Sequence, residues 1–304
     1  MKILVTGGAG YRGIKLTAAL LQKGYDVTVV DNFMYGYDPI MHLVENPKLH
    51  IVRQDIRNGI ENLSKFDAIF HLAGISGFPA CAANPHSAQL INVDATRMLV
   101  ESLSKEQLLI NPSTTSMYGK KGVKCHEDTE VSPVSTYALT KYEAEKIIQD
   151  RENSVSLRFA TVFGVAPKMR LDLMVNDFAY KAIHEGAVVL FDSFAKRTFI
   201  HIDDTVSSYL FTLERFNDMK GQVFNVGGRH LNYSKREIAD IINERVQFDI
   251  IESELSDKDL RNFIVSFEKI EKAGFVPQKS VEAGVEELLK LYSFYEYYSH
   301  YKVI

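Results

Sequence analysis

Tyr137 and Lys141 are the residues of this chain whose types and spacing most directly suggest chemistry. They stand four residues apart in the run Tyr-Ala-Leu-Thr-Lys, a spacing that places two side chains on one face of a helix. A phenol has an ordinary pKa of about 10 and is a poor base at neutral pH, but a neighbouring ammonium group favours the phenolate. A phenolate can accept the proton of an alcohol while a hydride leaves the same carbon for an acceptor. The pair therefore predicts oxidation of a hydroxyl carbon.

The hydride acceptor is indicated by a glycine loop close to the N-terminus. Gly7, Gly10 and Gly13 follow an apolar segment and precede a helical pattern, as in the loop that brings a dinucleotide pyrophosphate onto a helix N-terminus. Asp31 ends the next apolar segment, about 20 residues on, where a carboxylate can accept hydrogen bonds from the adenosine ribose and repel a 2′-phosphate. The loop and this acid predict NAD rather than NADP.

Hydroxyl groups that could hold a substrate oxygen are concentrated in residues 111–119, which read Asn-Pro-Ser-Thr-Thr-Ser-Met-Tyr-Gly. They follow an apolar segment that we interpret as a strand. Because doubly wound sheets bind ligands at the carboxyl ends of their strands, this segment is expected close to the dinucleotide and to Tyr137.

The elements that must position these groups alternate between short apolar runs and helical patterns. The spacing predicts strands at 2–6, 26–30, 49–53, 68–72, 108–113 and 155–159, and helices at 14–22, 88–102 and 136–149. Nearly uniform apolar strands separated by helices are typical of a parallel sheet covered on both faces. We therefore predict an α/β fold, a Rossmann-type doubly wound parallel sheet with a smaller C-terminal α/β substrate-binding domain.

The regular alternation of short apolar runs and helical patterns ends at about residue 164. A helix is predicted at 173–184, a strand and turn at 197–204, and a helix at 281–298, and Ser234 with Glu237 forms a capping-box pattern at the start of another helix. The predicted domains are an NAD-binding unit of residues 1–163, with a return segment at about 197–227, and a mainly substrate-binding unit of residues 164–304.

Composition excludes several classes of partner. The formal net charge is −4 and basic residues are not clustered, which argues against nucleic acid or an anionic membrane as the main partner. The two cysteines, Cys81 and Cys125, are interpreted as free thiols in a reducing compartment. Without a signal-peptide pattern or a long apolar stretch, we expect a cytoplasmic protein. No metal site is predicted.

Taken together, these features resemble the extended short-chain dehydrogenase/reductase family, specifically its nucleotide-sugar epimerase/dehydratase branch. The resemblance extends over essentially the whole chain. Beyond the features above it includes the motifs His71-Leu72-Ala73-Gly74, Asn92, Arg158-Phe159-Ala160-Thr161-Val162-Phe163-Gly164, Arg197-Thr198-Phe199-Ile200-His201-Ile202-Asp203-Asp204 and Asn225-Val226-Gly227.

The resemblance implies a role for each matching residue. Thr114, five residues before Gly119, would be the catalytic hydroxyl beside Tyr137 and Lys141. The implied cofactor contacts are Gly7, Gly10, Tyr11, Arg12, Gly13, Asp31, Asn32, Asp55, Ile56, Leu72, Ala73, Gly74, Asn92, Tyr137 and Lys141. The implied substrate contacts are Ser76, Thr115, Ser116, Asn176, Arg197 and Arg261. An arginine suits a sugar nucleotide because its planar fork pairs with two phosphate oxygens.

Two departures from the family pattern are informative. The 4,6-dehydratases of the family have an Asp-Glu pair after the catalytic threonine, but this chain has Thr115 and Ser116, so dehydration is disfavoured. Arg12 stands where an apolar residue is the commoner choice, and either a place near the pyrophosphate or a solvent-facing side chain is open to it.

The resemblance implies an NAD-dependent oxidoreductase acting at C4 of a nucleotide-activated sugar, either as an epimerase or as a 4-dehydrogenase. Residues 165–178 resemble enzymes that oxidise GDP-heptoses for bacterial surface polysaccharides, which weakly favours a GDP-linked substrate. One alternative is a 4-keto reductase. An alternative of another class is a non-catalytic NAD-sensing protein, because fold does not fix function. The family also implies a homodimer formed through the helices at 88–102 and 136–149.

Overall fold

Strands and helices alternate along the computed structural model, which describes residues 1–255 and 262–297. The strands are β1 (Lys2–Thr6), β2 (Asp26–Asp31), β3 (Leu49–Arg53), β4 (Ala68–His71), β5 (Leu108–Thr114), β6 (Lys120–Cys125), β7 (Ser154–Phe159), β8 (Thr161–Phe163), β9 (Ala187–Phe191), β10 (Lys196–His201), β11 (Gln222–Val226), β12 (Asn232–Ser234), β13 (Asp249–Ser253) and β14 (Asn262–Val265). The α-helices are α1 (Tyr11–Gln22), α2 (Asp38–Met41), α3 (Phe78–Ala83), α4 (Pro85–Gln89), α5 (Ala95–Ser102), α6 (Thr136–Gln149), α7 (Met174–His184), α8 (Ile202–Glu214), α9 (Phe216–Met219), α10 (Lys235–Asn243), α11 (Glu268–Ala273) and α12 (Val281–Tyr292).

The main sheet has seven parallel strands in the order β11-β7-β5-β4-β1-β2-β3. All six strands predicted for the first half of the chain belong to it, and the α/β Rossmann-type prediction is confirmed. The strand order reverses between β1 and β4, which is the switch point where doubly wound sheets bind ligands.

The uniform apolar character of β1 follows from burial on both faces of this sheet, whereas the edge strand β3 is exposed over most of its length. In β1, Ile3 and Val5 pack into one hydrophobic core, whereas Leu4 packs into a second core on the opposite face. Successive residues of a strand point to opposite faces, so a strand that is covered on both sides has no position for an exposed polar side chain. The helices α1 and α8 pack against each other, and so do α5 and α6.

A third core lies in the second half of the chain. It joins α7, α10 and α12 to the parallel pair β9–β13 and includes Phe178, Leu190, Ile238 and Leu288. β11 adds an edge to the main sheet, but β10 pairs with β8 and β12 in a three-stranded sheet. The predicted domain boundary at 163/164 and the return segment at about 197–227 stay predictions.

Several element boundaries differ from those predicted. The helix expected at 88–102 is divided by a π-helical turn at Leu90–Asp94, which separates α4 from α5. The strand and turn expected at 197–204 are β10 followed directly by α8, because the His201 side chain accepts a hydrogen bond from the Asp203 N–H and caps the helix. The Ser234–Glu237 capping box is formed as predicted.

None of the helices within residues 1–255 and 262–297 combines the length and the apolar character required to span a bilayer.

Candidate active site

The glycine loop between β1 and α1 is held close to the end of β4. Gly7 has a φ of +69°, and a Cβ at this position would lie 2.7 Å from the Ala73 Cα atom. A Cβ at Gly13 would overlap the Gly7 carbonyl oxygen. No side chain caps the N-terminus of α1, so its first N–H groups are left to bind an anion. Glycine is required here both for the turn and for the close approach of the chain.

A cleft of about 100 Å³ opens beside this loop at the switch point. The residues lining it that the sequence predicted as cofactor contacts are Gly7, Gly10, Asp31, Asn32, Asp55, Ile56, Leu72, Ala73 and Gly74. The Asp31 carboxylate is held by the N–H groups of Ala9 and Phe33, at 3.0 and 2.8 Å. Burial raises the pKa of Asp31, an effect that these two backbone hydrogen bonds oppose. An acid fixed at the mouth of an apolar cleft suits the adenosine end of a dinucleotide.

Asn92 connects the loop after β4 to α6. Its side chain accepts a hydrogen bond from the Ile75 N–H at 2.8 Å and donates to the Ile75 carbonyl at 2.9 Å and to the Thr140 hydroxyl at 3.1 Å. The residue lies in the π-helical turn, a feature that often occurs at functional sites. Asn92 was predicted as a cofactor contact. The structure places it outside both cavities described here, where it fixes the loop that lines the cleft.

A larger cavity of about 440 Å³ lies over the carboxyl ends of β5 and β7. It brings together side chains from segments far apart in the sequence. The predicted site residues that line it are Tyr11, Arg12, Ser76, Thr114, Ser116, Tyr137 and Arg197. The predicted catalytic phenol, two hydroxyls and the start of α1 thus share one cavity.

Thr114 is the last residue of β5, where it pairs in register with Phe159 of β7. Its hydroxyl donates to the Ser116 hydroxyl at 3.0 Å and accepts from the Ser116 N–H at 3.1 Å. Ser113, one residue earlier, is 1% exposed and lines the same cavity. Its hydroxyl has no hydrogen-bond partner, so it is available to a ligand. Sequence analysis did not single out Ser113, although it lies within the predicted hydroxyl segment.

Tyr137 begins α6, which is capped by the Ser135 hydroxyl. Lys141 is half-buried one turn further on. Burial, followed by the positive charge of Arg12, lowers the pKa of Lys141 to about 8, while Glu145 acts in the opposite direction. Cys81 packs in the same cluster as Tyr137, and burial raises the pKa of its thiol to about 11. Cys81 is therefore a neutral packed thiol at neutral pH, as the sequence suggested.

A buried ion pair joins β7 to α6. Arg158 donates to both Glu145 oxygens, from Nε at 3.1 Å and from a terminal nitrogen at 2.6 Å. The same guanidinium donates to the Tyr118 hydroxyl at 2.9 Å and to the Glu127 carbonyl at 3.0 Å. These contacts fix the end of β7 against the helix that positions Tyr137 and Lys141.

Three predicted substrate contacts are not brought into the larger cavity. The Thr115 hydroxyl donates to the Phe159 carbonyl at 3.1 Å. Asn176 is fully buried, where it accepts from the Gly164 N–H and donates to the Arg170 carbonyl. Neither lines the cavity. Arg261 lies outside the described residues. Gly13, predicted as a cofactor contact, packs against Gly7 and lines neither cavity.

Other cavity residues were missed from the sequence. Arg170 and Asp172 form an ion pair on the wall, and Arg170 also donates to the Ser76 carbonyl at 3.2 Å. Val189 and Phe191, on the exposed face of β9, line the mouth. The charged pair close to the predicted Asn176 was a signal available in the sequence. The sequence of β9 is uniformly apolar and gave no sign of which face is exposed.

The arrangement can take a proton from an alcohol. A phenol stands beside an ammonium group on one helix, and hydroxyl groups at the end of β5 share its cavity. The cleft at the switch point lies at the carboxyl ends of β1, β2 and β4 of the same sheet. Hydride transfer between a bound dinucleotide and a bound alcohol requires this combination.

Comparisons with known proteins agree with this geometry. The model of the NAD dependent epimerase/dehydratase family matches residues 3–227. The chain is 31% identical over 249 residues to a protein of Bacillus subtilis named uncharacterized UDP-glucose epimerase YtcB, covering 75% of this chain and 77% of that one. It is 30% identical over 311 residues to UDP-glucuronate 4-epimerase 4 of Arabidopsis thaliana, covering 90% and 67%.

Among solved structures, the chain resembles UDP-glucuronic acid 4-epimerase from Bacillus cereus, crystallised with UDP-glucuronic acid and NAD. The TM-score is 0.84 at 26% identity, with 96% of this chain and 99% of that chain covered. The family match, the seven-stranded sheet and these relatives agree with one another. The chain therefore belongs to the NAD-dependent epimerase/dehydratase family, the nucleotide-sugar branch of the extended short-chain dehydrogenases/reductases, and its cofactor is NAD.

Proposed function

We propose that this protein is a 4-epimerase of a UDP-linked hexose or hexuronic acid. The observation on which the proposal rests is the shared cavity, in which Tyr137, Thr114 and Ser116 lie together with Arg12 at the N-terminus of α1. The relatives named above act on UDP-glucose or UDP-glucuronic acid according to their names. The GDP-linked preference suggested by the sequence finds no support among them. The surface-polysaccharide role stays a prediction.

Bound NAD supplies the hydride acceptor. In the proposed mechanism Tyr137 accepts the proton of the C4 hydroxyl, with Lys141 one helical turn away on α6. Thr114 holds the same oxygen through its hydroxyl, which the Ser116 N–H already orients. Ser113, buried and without a partner, provides a further donor at the strand end. The sugar then turns over in the cavity before the hydride returns to its other face.

We assign the sugar nucleotide's diphosphate to the N-terminus of α7. No side chain caps this helix, and its N-cap residue Leu173 and its first residue Met174 line the cavity, so its first N–H groups are available to a phosphate. Arg197 is buried and lines the same wall. Beyond it, Val189 and Phe191 offer an apolar surface for a nucleobase.

The carboxylates of the cavity argue against dehydration. Among its described lining residues, the acids are Asp172 and Asp177, paired with Arg170 and Lys181 respectively. Thr115 stands where a dehydratase has an acid, and its hydroxyl is bonded to a backbone carbonyl. Removal of water from C5 and C6 needs a free acid and base at this position, which the described residues do not supply.

A panel of nucleotide sugars tests the proposal. UDP-glucose, UDP-glucuronic acid and their GDP-, CDP- and dTDP-linked counterparts would be incubated with the purified protein, with absorbance at the NADH band and product stereochemistry followed together. We expect a C4 epimer of a UDP-sugar without net NADH. Net NADH with a 4-keto product would replace the epimerase with a 4-dehydrogenase. Bound NAD without turnover of any sugar would favour the non-catalytic alternative.

We also propose a homodimer through α5 and α6. These helices pack against each other, and Met98 and Leu139 are 43% and 46% exposed on them. Light scattering should give a dimer, and Met98→Glu with Leu139→Glu should give a monomer. A wild-type monomer at micromolar concentration would contradict the proposal.

A further inference from the structure

Arg12, the second residue of α1, is a cation that lines the larger cavity. Its guanidinium carbon lies 5.2 Å from the centroid of the Phe159 ring. The side chain is partly buried and lines the cavity together with Tyr137. Arg12 therefore lines the larger cavity and does not line the cleft beside the glycine loop.

No carboxylate pairs with Arg12 in residues 1–255 and 262–297, where its one resolved partner is the Phe159 ring. Arg170 and Arg158 differ in this respect, because Arg170 is paired with Asp172 and Arg158 with Glu145. A guanidinium that is partly withdrawn from water and unneutralised exerts its charge on its surroundings. A ligand bound in the larger cavity therefore experiences the positive charge of Arg12.

The position of this charge relative to the reacting groups follows from the main sheet. Phe159, under the guanidinium, is the register partner of Thr114 on the neighbouring strand. The Phe159 ring packs on the Tyr209 ring, with 5.1 Å between the centroids, and this contact holds in place the ring that Arg12 overlies. The positive charge of Arg12 also acts on Lys141. Arg12, Thr114 and Tyr137 therefore line one cavity, with Phe159 between Arg12 and the strand that ends in Thr114. A nicotinamide ring that took a hydride from a sugar held by Thr114 and Tyr137 would lie in the cavity that Arg12 lines.

The pyrophosphate does not require this side chain, because the uncapped N-terminus of α1 offers it backbone N–H groups. We propose that Arg12 makes bound NAD a stronger hydride acceptor by placing a fixed positive charge beside the nicotinamide ring. The ring is cationic when oxidised and neutral when reduced, so a nearby cation disfavours NAD⁺ and leaves NADH unaffected. This inference rests on the proposed function for the position of the ring. It also explains how a cofactor that must be reduced and reoxidised in place would be retained in its reduced form.

The test is the ratio of two dissociation constants, that of NAD⁺ over that of NADH, measured by calorimetry without any sugar. Arg12→Ile should lower this ratio about tenfold or more for a charge a few ångströms from the ring, which corresponds to a fall of about 30 mV in the potential of the bound two-electron couple. Arg12→Lys should keep most of the ratio. Lys23→Gln removes a charge from the exposed end of α1 and should leave the ratio unchanged. Circular dichroism would establish that each variant is folded.

Two results would overturn the inference. An equal loss of affinity for NAD⁺ and NADH in Arg12→Ile would place the guanidinium on the pyrophosphate. An unchanged ratio with weaker binding of UDP would place it on the substrate. Neither result depends on turnover, so failure of the proposed function, seen as no reaction with any nucleotide sugar, is separate from failure of this inference.

Discussion

The carboxylate of Asp31 and the backbone N–H of Ala9 are joined by a hydrogen bond of 3.0 Å, which ties the end of β2 to the glycine loop after β1. The second carboxylate oxygen accepts from the Phe33 N–H. The acid is therefore fixed in position before any ligand arrives. A ribose bound in the cleft would therefore face a carboxylate whose orientation is already fixed.

Asp31→Asn should change the choice of cofactor. We expect the affinity for NAD to fall and that for NADP to rise, with the ratio between them shifting by about tenfold or more, because the repulsion of a 2′-phosphate disappears. Dissociation constants for both cofactors measure this. Asp26→Asn, at the exposed start of the same strand, is the matched control. A uniform loss of both affinities would show that the residue only supports the loop.

Tyr137→Phe should reduce turnover by at least about 100-fold, the contribution typical of a positioned acid or base. The ring remains, so NAD and the nucleotide sugar should bind with nearly unchanged dissociation constants. Tyr142→Phe, on the same helix but outside the cavity, should keep full activity. Unchanged turnover in the Tyr137 variant would remove the proposed base from the mechanism.

The pH profile of kcat/KM should reflect Lys141. Lys141 lies one helical turn from the proposed base, and burial together with Arg12 lowers its pKa to about 8. As the pH rises through that value the ammonium is lost, so we expect the rate to decline. Arg12→Ile should move this decline to higher pH, because one of the two causes is removed. A wild-type profile without the decline, or one unmoved by the substitution, would contradict the assignment.

Glu145→Ala should destabilise the fold by about 3–5 kcal/mol, because it leaves the Arg158 guanidinium buried without its acid. Glu145 is fully buried and Arg158 is 5% exposed. Chemical denaturation measures the free energy of unfolding. Glu143→Ala, on the same helix and bonded only to Gln89, should cost less than about 1 kcal/mol. Replacement of both Glu145 and Arg158 by Met should cost less than Glu145→Ala alone.

The positions of the principal chemical groups could be predicted because local patterns determine them. The glycine spacing, the acid ending β2 and the hydroxyls ending β5 all lie at the junction of a strand and the next element. A parallel sheet brings such junctions to one edge whatever the details of packing. The boundaries of β1 and α6 and the shared cavity of Thr114 and Tyr137 follow from these patterns.

In the second half of the chain, the neighbours that individual side chains contact could not be predicted in the same way. Asn176 turns inward to satisfy the Gly164 N–H, whereas Asp177, the next residue of α7, lines the cavity. Helical spacing alone does not tell which face meets which neighbour. The π-helical turn at Leu90–Asp94 was also missed, because it is stabilised by the bonds of Asn92 to Ile75 and Thr140. Contacts between distant segments leave little trace in a local pattern.

The pairing of β11 with β7 bears on how the polypeptide is made. β7 is buried along its whole length, but its outer neighbour, Gln222–Val226, is separated from it by residues 160–221. During synthesis the nascent chain therefore presents an unprotected edge strand until those later residues have left the ribosome. Open edges of this kind recruit other chains, so a gene truncated after residue 163 should give an insoluble product even though it encodes every residue that lines the cleft beside the glycine loop.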